Sequence, residues 1–297
     1  MRQQGTARGI GTTVLLVVAI LLAGTGCSPF AESSAAKDSP TRADKLRYVA
    51  LGDSYTAAPL VPVTKMAKGC YRSTGNYPAL VADKLGARLE DRSCGGARTT
   101  DFRRNQYPEV PPQLTAVTPG VELVTLSIGG NDERVFSELI LRCTKLRAKN
   151  PEGAPCRKYM DSTGADVLLS ALRTTRSRVT DVIREVRKRA PKAKVLVVGY
   201  PQIISAESMC ASLPLAAGDY AYGEKVNLAM TDVLRSAAKA TGSTYVDVWA
   251  ASKGHDICSD DPWINGAVTD QKRAAAYHPF AAEQVAVADL VVDAYRG

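Results

Sequence analysis

Gly52-Asp53-Ser54-Tyr55 sets a hydroxyl directly after an apolar, β-prone run, Arg47-Tyr-Val-Ala-Leu51. A serine on a turn beyond a buried strand projects into the crevice at the sheet edge, where it can act as a nucleophile. Serine also caps helices constantly, and taken alone that plainer reading is the commoner one. The string is not a Gly-x-Ser-x-Gly elbow, because Thr56 stands where the second glycine belongs. Ser127-Ile-Gly-Gly-Asn131-Asp132 closes a second apolar run. Its glycines let the backbone approach a ligand, and Asn131 adds an NH2 donor of the kind that stabilises a developing oxyanion. Capping of the following helix is the equally weighted alternative for Asn131 or Asp132. Ser93-Cys-Gly-Gly96-Ala97 can present a bare backbone N–H, although Gly-Gly in a turn is common. Tyr277-His278-Pro279-Phe280 carries one of only two histidines. Pro279 suits the first turn of a closing helix, which puts His278 at its entrance. The other histidine, His255, lies in Gly254-His-Asp-Ile-Cys258 and reads as a surface residue.

These strings need elements to hold them in place. Periodicity predicts strands over 47–51, 87–91, 121–128, 194–199 and 244–248, and helices over 77–85, 164–189, 222–240 and 280–295. The clearest helix, 164–189, keeps Val167, Leu168, Leu172, Val179, Val182, Ile183 and Val186 on one face. Its arginines, among them Arg173, Arg176 and Arg184, read as a solvated face. Gly86 and Pro191 are stop signals for their helices. Strands alternating with helices imply a parallel sheet covered on both sides, and ligands of such sheets bind beyond the carboxyl ends of the strands. The stretches 56–76, 97–118 and 250–277 are long enough as loops to carry function or to need staples. For Leu60, Val61 and Val63, core or turn packing is preferred over an acyl pocket.

The chain has 297 residues, is 45% hydrophobic and 23% charged, and can bury a proper core. Its net charge of +8 comes from scattered Lys and Arg, and four Phe and two Trp offer little for base stacking. That argues against nucleic-acid binding. Two histidines and no C-x-x-C pair argue against zinc, and nothing points to another metal or an organic cofactor. Arg2 and Arg8 lead into the apolar run Val14 to Ala23, too short for a membrane span but right for a signal peptide over 1–26. Gly24-Thr-Gly-Cys27 resembles a lipoprotein cleavage site with Cys27 as the lipidated new N-terminus. Gly24 departs from the usual aliphatic residue there, and ordinary signal cleavage nearby is the alternative. Residues 27–45 fit a tether, and 46–297 a single folded domain. The expected product is exported, as a cell-surface lipoprotein or a secreted protein, monomeric, and joined to a membrane through a lipid anchor only. Of seven cysteines, Cys27 aside, six remain: Cys70, Cys94, Cys143, Cys156, Cys210 and Cys258. In an exported chain they suggest three disulfides, with every pairing open.

In their order along the chain, Gly-Asp-Ser, a glycine, Gly-Gly-Asn-Asp and a C-terminal His-Pro resemble the SGNH (GDSL) hydrolase superfamily. These blocks run from residue 52 to 279, nearly the whole folded region. Gly-Asp-Ser-Tyr-Thr-Ala, Ser-Cys-Gly-Gly-Ala and the six cysteines look like its secreted bacterial lipase/esterase branch. The resemblance implies an α/β fold: three α/β/α layers around a mostly parallel, flavodoxin-like sheet. It also implies the disulfides Cys70–Cys94, Cys143–Cys156 and Cys210–Cys258. Carried over by residue, it makes Ser54 the nucleophile and His278 its general base. The oxyanion donors would be the Ser54 N–H, the Gly96 N–H (Gly95 being the alternative) and the Asn131 side-chain amide.

One position departs from the pattern. Most members carry Asp three residues before the histidine, but here Ala274-Ala275-Ala276-Tyr277 precedes His278. Some enzymes of the branch use a main-chain carbonyl instead, so the Ala275 C=O is expected to accept the Nδ1–H of His278. Asp270, Asp260 and Asp261 are rivals for that place. The activity implied is hydrolysis of small-molecule or lipid carboxylic esters through an acyl-enzyme, without a cofactor. The alternatives are a carbohydrate O-acetylesterase or acetyltransferase of the cell envelope, and a binding lipoprotein that has lost catalysis.

Overall fold

The computed structural model describes residues 45–297; the expected signal peptide, Cys27 and all but the last residue of the tether lie outside the described residues. The central sheet has five strands: β1 (Arg47–Gly52), β2 (Arg88–Asp91), β3 (Leu123–Ser127), β4 (Lys194–Val198) and β5 (Thr244–Val246). They lie in the order β2-β1-β3-β4-β5, and every pairing is parallel. Such strands are buried on both faces and need apolar residues at successive positions, as in Tyr48-Val-Ala-Leu51. Alternation then sends neighbours to opposite layers. Tyr48, Ala50, Leu123, Leu196 and Val198 pack with α2 (Tyr77–Leu85) and α5 (Ala281–Arg296). Val49, Leu51, Val124, Leu126, Val195 and Val197 pack with α3 (Val167–Arg189) and α4 (Tyr220–Thr241). Each fully buried Val or Leu in these layers contributes roughly 1.5–3 kcal/mol relative to exposure. The result is the expected three-layer α/β/α architecture.

From β1 the chain goes to β2 on one side and then to β3 on the other, so the strand order reverses at β1. The carboxyl ends of β1 and β3 are therefore the place where a crevice opens. Register puts Gly52 opposite Ser127, which brings the turns that follow the two strands side by side.

Local chemistry trims several expected boundaries. α3 begins at Val167 rather than 164, because the Asp166 carboxylate accepts the Leu169 N–H at 2.9 Å and caps the helix there. β5 stops at Val246 rather than 248, because Asp247 caps the helical turn Val248–Ala251. α2 ends where expected, at Gly86 in the left-handed conformation (φ 61°). The short helical pieces between Val135 and Met160, for which the sequence showed no pattern, are stapled by Cys143–Cys156. Cys70–Cys94 and Cys210–Cys258 complete the three expected pairs.

Candidate active site

Ser54 opens α1 (Ser54–Ala57), a single helical turn directly beyond β1. Asp53 caps this turn, its carboxylate accepting the Tyr55 N–H at 2.9 Å. Gly52 is the tight point: a Cβ there would collide with Thr56 Oγ1 and come within 2.7 Å of the Ser127 carbonyl. The buried Gln113 grips the same residue from both sides, accepting the Gly52 N–H at 2.8 Å and donating to its carbonyl at 2.9 Å. The serine is thus buried and placed by backbone that has almost no freedom to shift.

The glycine loop is fastened by Cys70–Cys94 and by the Gly95 N–H, which donates to the Cys70 carbonyl at 2.9 Å. The Cys94 N–H donates to the Gly52 carbonyl at 3.1 Å, so this loop leans on the serine-bearing turn. Gly96 adopts φ +74°, a region that favours glycine, and is exposed. Neither its N–H nor that of Ser54 finds a protein acceptor among the described residues. The Asn131 amide donates one proton to the Ala97 carbonyl at 3.0 Å, which leaves its second N–H available. Asp132 fastens the same junction by accepting the N–H and hydroxyl of Thr99. Hydrogen bonds thus tie the turn that carries Ser54 to the Gly95-Gly96 loop, and that loop to Asn131.

His278 reaches the same corner from the far end of the chain. Its ring centroid is 5.7 Å from that of Tyr55 and 6.4 Å from that of Phe136, while Tyr55 and Phe136 lie 5.8 Å apart. The Tyr55 hydroxyl donates to the Tyr277 carbonyl at 2.9 Å, and the Ala275 N–H to the Pro59 carbonyl at 3.1 Å. Residues flanking the serine thereby hold the histidine loop. Neither Ser54 Oγ nor His278 Nε2 has a hydrogen-bond partner among the described residues; contacts of this kind commonly tighten only when substrate binds.

The structure corrects one expectation. His278 Nδ1 lies 2.7 Å from the carbonyl of Ala276, not of Ala275. The Ala275 oxygen is occupied by the His278 backbone N–H at 3.2 Å and the Asn265 amide at 3.1 Å. Tyr277 takes a left-handed conformation (φ 61°), and the reversal it makes turns the carbonyl two residues before the histidine toward the ring. A side chain needs the longer reach from position 275; a backbone oxygen does not. None of the rival carboxylates bonds the His278 ring among the described residues: Asp270 accepts the Lys272 N–H at 2.9 Å, and the Asp261 carboxylate lies 3.4 Å from His255 Nδ1. Because a carbonyl only accepts, the Nδ1–H tautomer is fixed and the Nε2 lone pair is free. Burial pushes the His278 pKa below its ordinary value, and the Ala276 bond offsets this only in part.

Two buried acids flank the site. Burial raises Asp53 to about 6, against the pull of its bonds from Tyr200 and Tyr55. Glu283, in the first turn of α5, is pushed up to about 8 by burial and so stays protonated at neutral pH. Its neighbour Gln284 accepts the Tyr77 N–H at 2.7 Å and donates to the Tyr55 carbonyl at 3.1 Å. Of the apolar loop residues, Val61 is buried while Val63 is exposed. Among the described residues no group of three or more His, Cys, Asp or Glu side chains is placed to hold a metal ion.

Gln113 and Tyr200 escaped the sequence reading. Their only signal is a polar residue within or beside an apolar stretch, and their partners lie 61 and 147 residues away.

The profile of the GDSL-like Lipase/Acylhydrolase family matches residues 50–282. Lipase 2 of Streptomyces coelicolor is 44% identical over 233 residues, which cover 77% of this chain and 77% of that one. The crystal structure of phospholipase A1 from Streptomyces albidoflavus NA297 superposes with a TM-score of 0.66 at 27% identity, covering 85% of this chain and 100% of that one. The extracellular lipase from Streptomyces rimosus gives 0.66 at 28% identity, covering 82% and 98%. With its strand order, its three disulfides and these relatives, the chain belongs to the GDSL-like, or SGNH, lipase/acylhydrolase family and is a carboxylic ester hydrolase.

Proposed function

We propose that the protein is an exported serine esterase or lipase that works through an acyl-enzyme on Ser54, with His278 as general base. The observation that carries this reading is a single corner holding an unpaired serine hydroxyl, an imidazole fixed in the Nδ1–H tautomer and unpaired N–H donors from two loops. His278 Nε2 takes the Ser54 proton as Oγ attacks the ester carbonyl. The oxyanion is met by the N–H groups of Ser54 and Gly96 and by the free Asn131 N–H. The imidazolium then passes its proton to the leaving alcohol. Water, deprotonated by the same nitrogen, clears the acyl group and returns Ser54 to its resting state. The Ala276 carbonyl keeps the ring oriented, the part of a triad acid's work that matters most for the tautomer.

All groups in this scheme come from one chain, so the scheme needs no second copy. Three disulfides fit an oxidising compartment and so support export. In this reading Cys27 carries the lipid anchor, which labelled palmitate tests: incorporation is expected in the wild type and not in Cys27→Ser. The enzymatic test is hydrolysis of p-nitrophenyl esters of rising acyl length, beside acetylated sugars, by wild type and Ser54→Ala. Turnover is expected on the p-nitrophenyl esters, absent in Ser54→Ala, with a serine-directed phosphonate labelling Ser54. A folded Ser54→Ala protein that keeps wild-type turnover would refute the scheme.

A further inference from the structure

Tyr200 follows β4 at the carboxyl edge of the sheet and is 2% exposed. Its backbone is pinned to α4, the Tyr200 N–H donating to Thr231 Oγ1 at 3.1 Å. Its hydroxyl makes two bonds. It accepts the Gly130 N–H at 3.0 Å and donates to Asp53 Oδ2 at 2.5 Å, the length of a charge-assisted bond to a carboxylate. Asp53 immediately precedes Ser54, and Gly130 immediately precedes Asn131. The other Asp53 oxygen already caps the serine-bearing turn. One oxygen atom just beyond a third strand thus joins the turn carrying the nucleophile to the turn carrying the amide donor. Gly130 itself is fitted to this approach, since a Cβ there would lie 3.2 Å from the Tyr200 hydroxyl.

We infer that Tyr200 is a positioning residue for ester hydrolysis: its hydroxyl sets the distance between Ser54 and the Asn131 donor by bonding Asp53 and Gly130 at once. The inference rests on the proposed roles of Ser54 and Asn131. Tyr200 does not touch the reacting atoms in this scheme. Without its hydroxyl, a buried carboxylate oxygen and a buried N–H each lose their partner, and the two turns relax independently. Misplacement by about 1 Å at a reacting centre costs on the order of 10²-fold in rate.

The test compares wild type, Tyr200→Phe, Asp53→Asn and the double variant in steady-state hydrolysis of a p-nitrophenyl ester, with thermal unfolding measured on each. Ser54→Ala is the control. For Tyr200→Phe a fall in kcat of about 10–100-fold is expected, with KM within about twofold of wild type. Asp53→Asn, which keeps an oxygen for the Tyr55 N–H, should lower kcat in the same manner. Because both changes act on the one bond between Tyr200 and residue 53, which Asp53→Asn turns from a charge-assisted bond into a weaker contact with the Tyr200 O–H unpaired, the double variant should be no slower than the slower single one. Wild-type kcat in folded Tyr200→Phe overturns the inference, as does a loss that follows only the fraction of protein unfolded. Should Tyr200→Phe fail to fold, Asp53→Asn decides alone: wild-type kcat there also overturns it. An active Ser54→Ala removes the functional reading itself, whereas an inactive Ser54→Ala beside an unimpaired Tyr200→Phe removes only the role of Tyr200.

Discussion

Replacing Asn131 with alanine separates what its side chain does for the fold from what it does for the reaction. In the resting structure the amide makes one protein bond, to the Ala97 carbonyl at 3.0 Å. Loss of one such half-buried bond costs about 1 kcal/mol. For a domain of this size that lowers the unfolding midpoint by about 2–4 °C. Loss of one oxyanion donor costs far more in the barrier, roughly 10²–10³ in turnover, or about 2.7–4 kcal/mol. The expected Asn131→Ala protein is therefore folded, slightly less stable, and slower by two to three orders of magnitude in kcat with KM little changed. Asn131→Asp, which replaces donor with acceptor, should be no better. Steady-state kinetics on a p-nitrophenyl ester, beside circular-dichroism melting of the same samples, reads both quantities. If Asn131→Ala keeps kcat within about threefold of wild type, the amide does not stabilise the oxyanion and the reasoning from its free N–H fails.

Two further expectations concern the base and the glycine loop. Because burial lowers the His278 pKa, its neutral, competent form persists to lower pH, and the acid limb of kcat/KM should have its midpoint below the ordinary histidine value of 6.5; a midpoint at or above 7 would contradict this placement. Removing Cys70–Cys94 as a Cys70→Ala/Cys94→Ala pair frees a loop of 24-residue separation, a loss of about 3–4 kcal/mol in the chain-entropy account. Since the same bridge fastens Gly95 and Gly96, kcat should also fall at temperatures where the variant remains folded; an unchanged kcat there would show that the loop does not depend on its staple.

The parts of the molecule that are legible in the sequence are those whose causes are local. α2 is legible because its apolar spacing and Gly86 act within a few residues, and β1 because a doubly buried parallel strand must be apolar throughout. Ser54, Asn131 and His278 stand out because strand ends, paired glycines and a scarce residue type are visible in short windows. The Ser54 and Asn131 turns lie side by side because β1 and β3 are parallel neighbours, whereas His278 follows no strand of the sheet and is brought in by its loop. The segment from Val135 to Met160 is not legible, since its helical pieces are too short to show a period. Gln113 and Tyr200 are hidden for another reason: each acts through partners dozens of residues distant, and only the folded sheet brings them together. The carbonyl facing His278 is the hardest to read. Position 275 is where most members of the family carry the acid, and the left-handed Tyr277 that shifts the contact to Ala276 carries no sequence signal.

A backbone oxygen as the imidazole's partner also alters how this enzyme can be damaged. An aspartate in that place can be deleted by one nucleotide change, whereas all twenty residue types supply a carbonyl at position 276. Side-chain scanning would pass over the partner without effect, and drift at this site would leave the imidazole's support intact. Vulnerability moves instead to the chain reversal at Tyr277 and to the Tyr55 hydroxyl that clasps it. Substitutions at those two positions are where loss of the imidazole's support should concentrate.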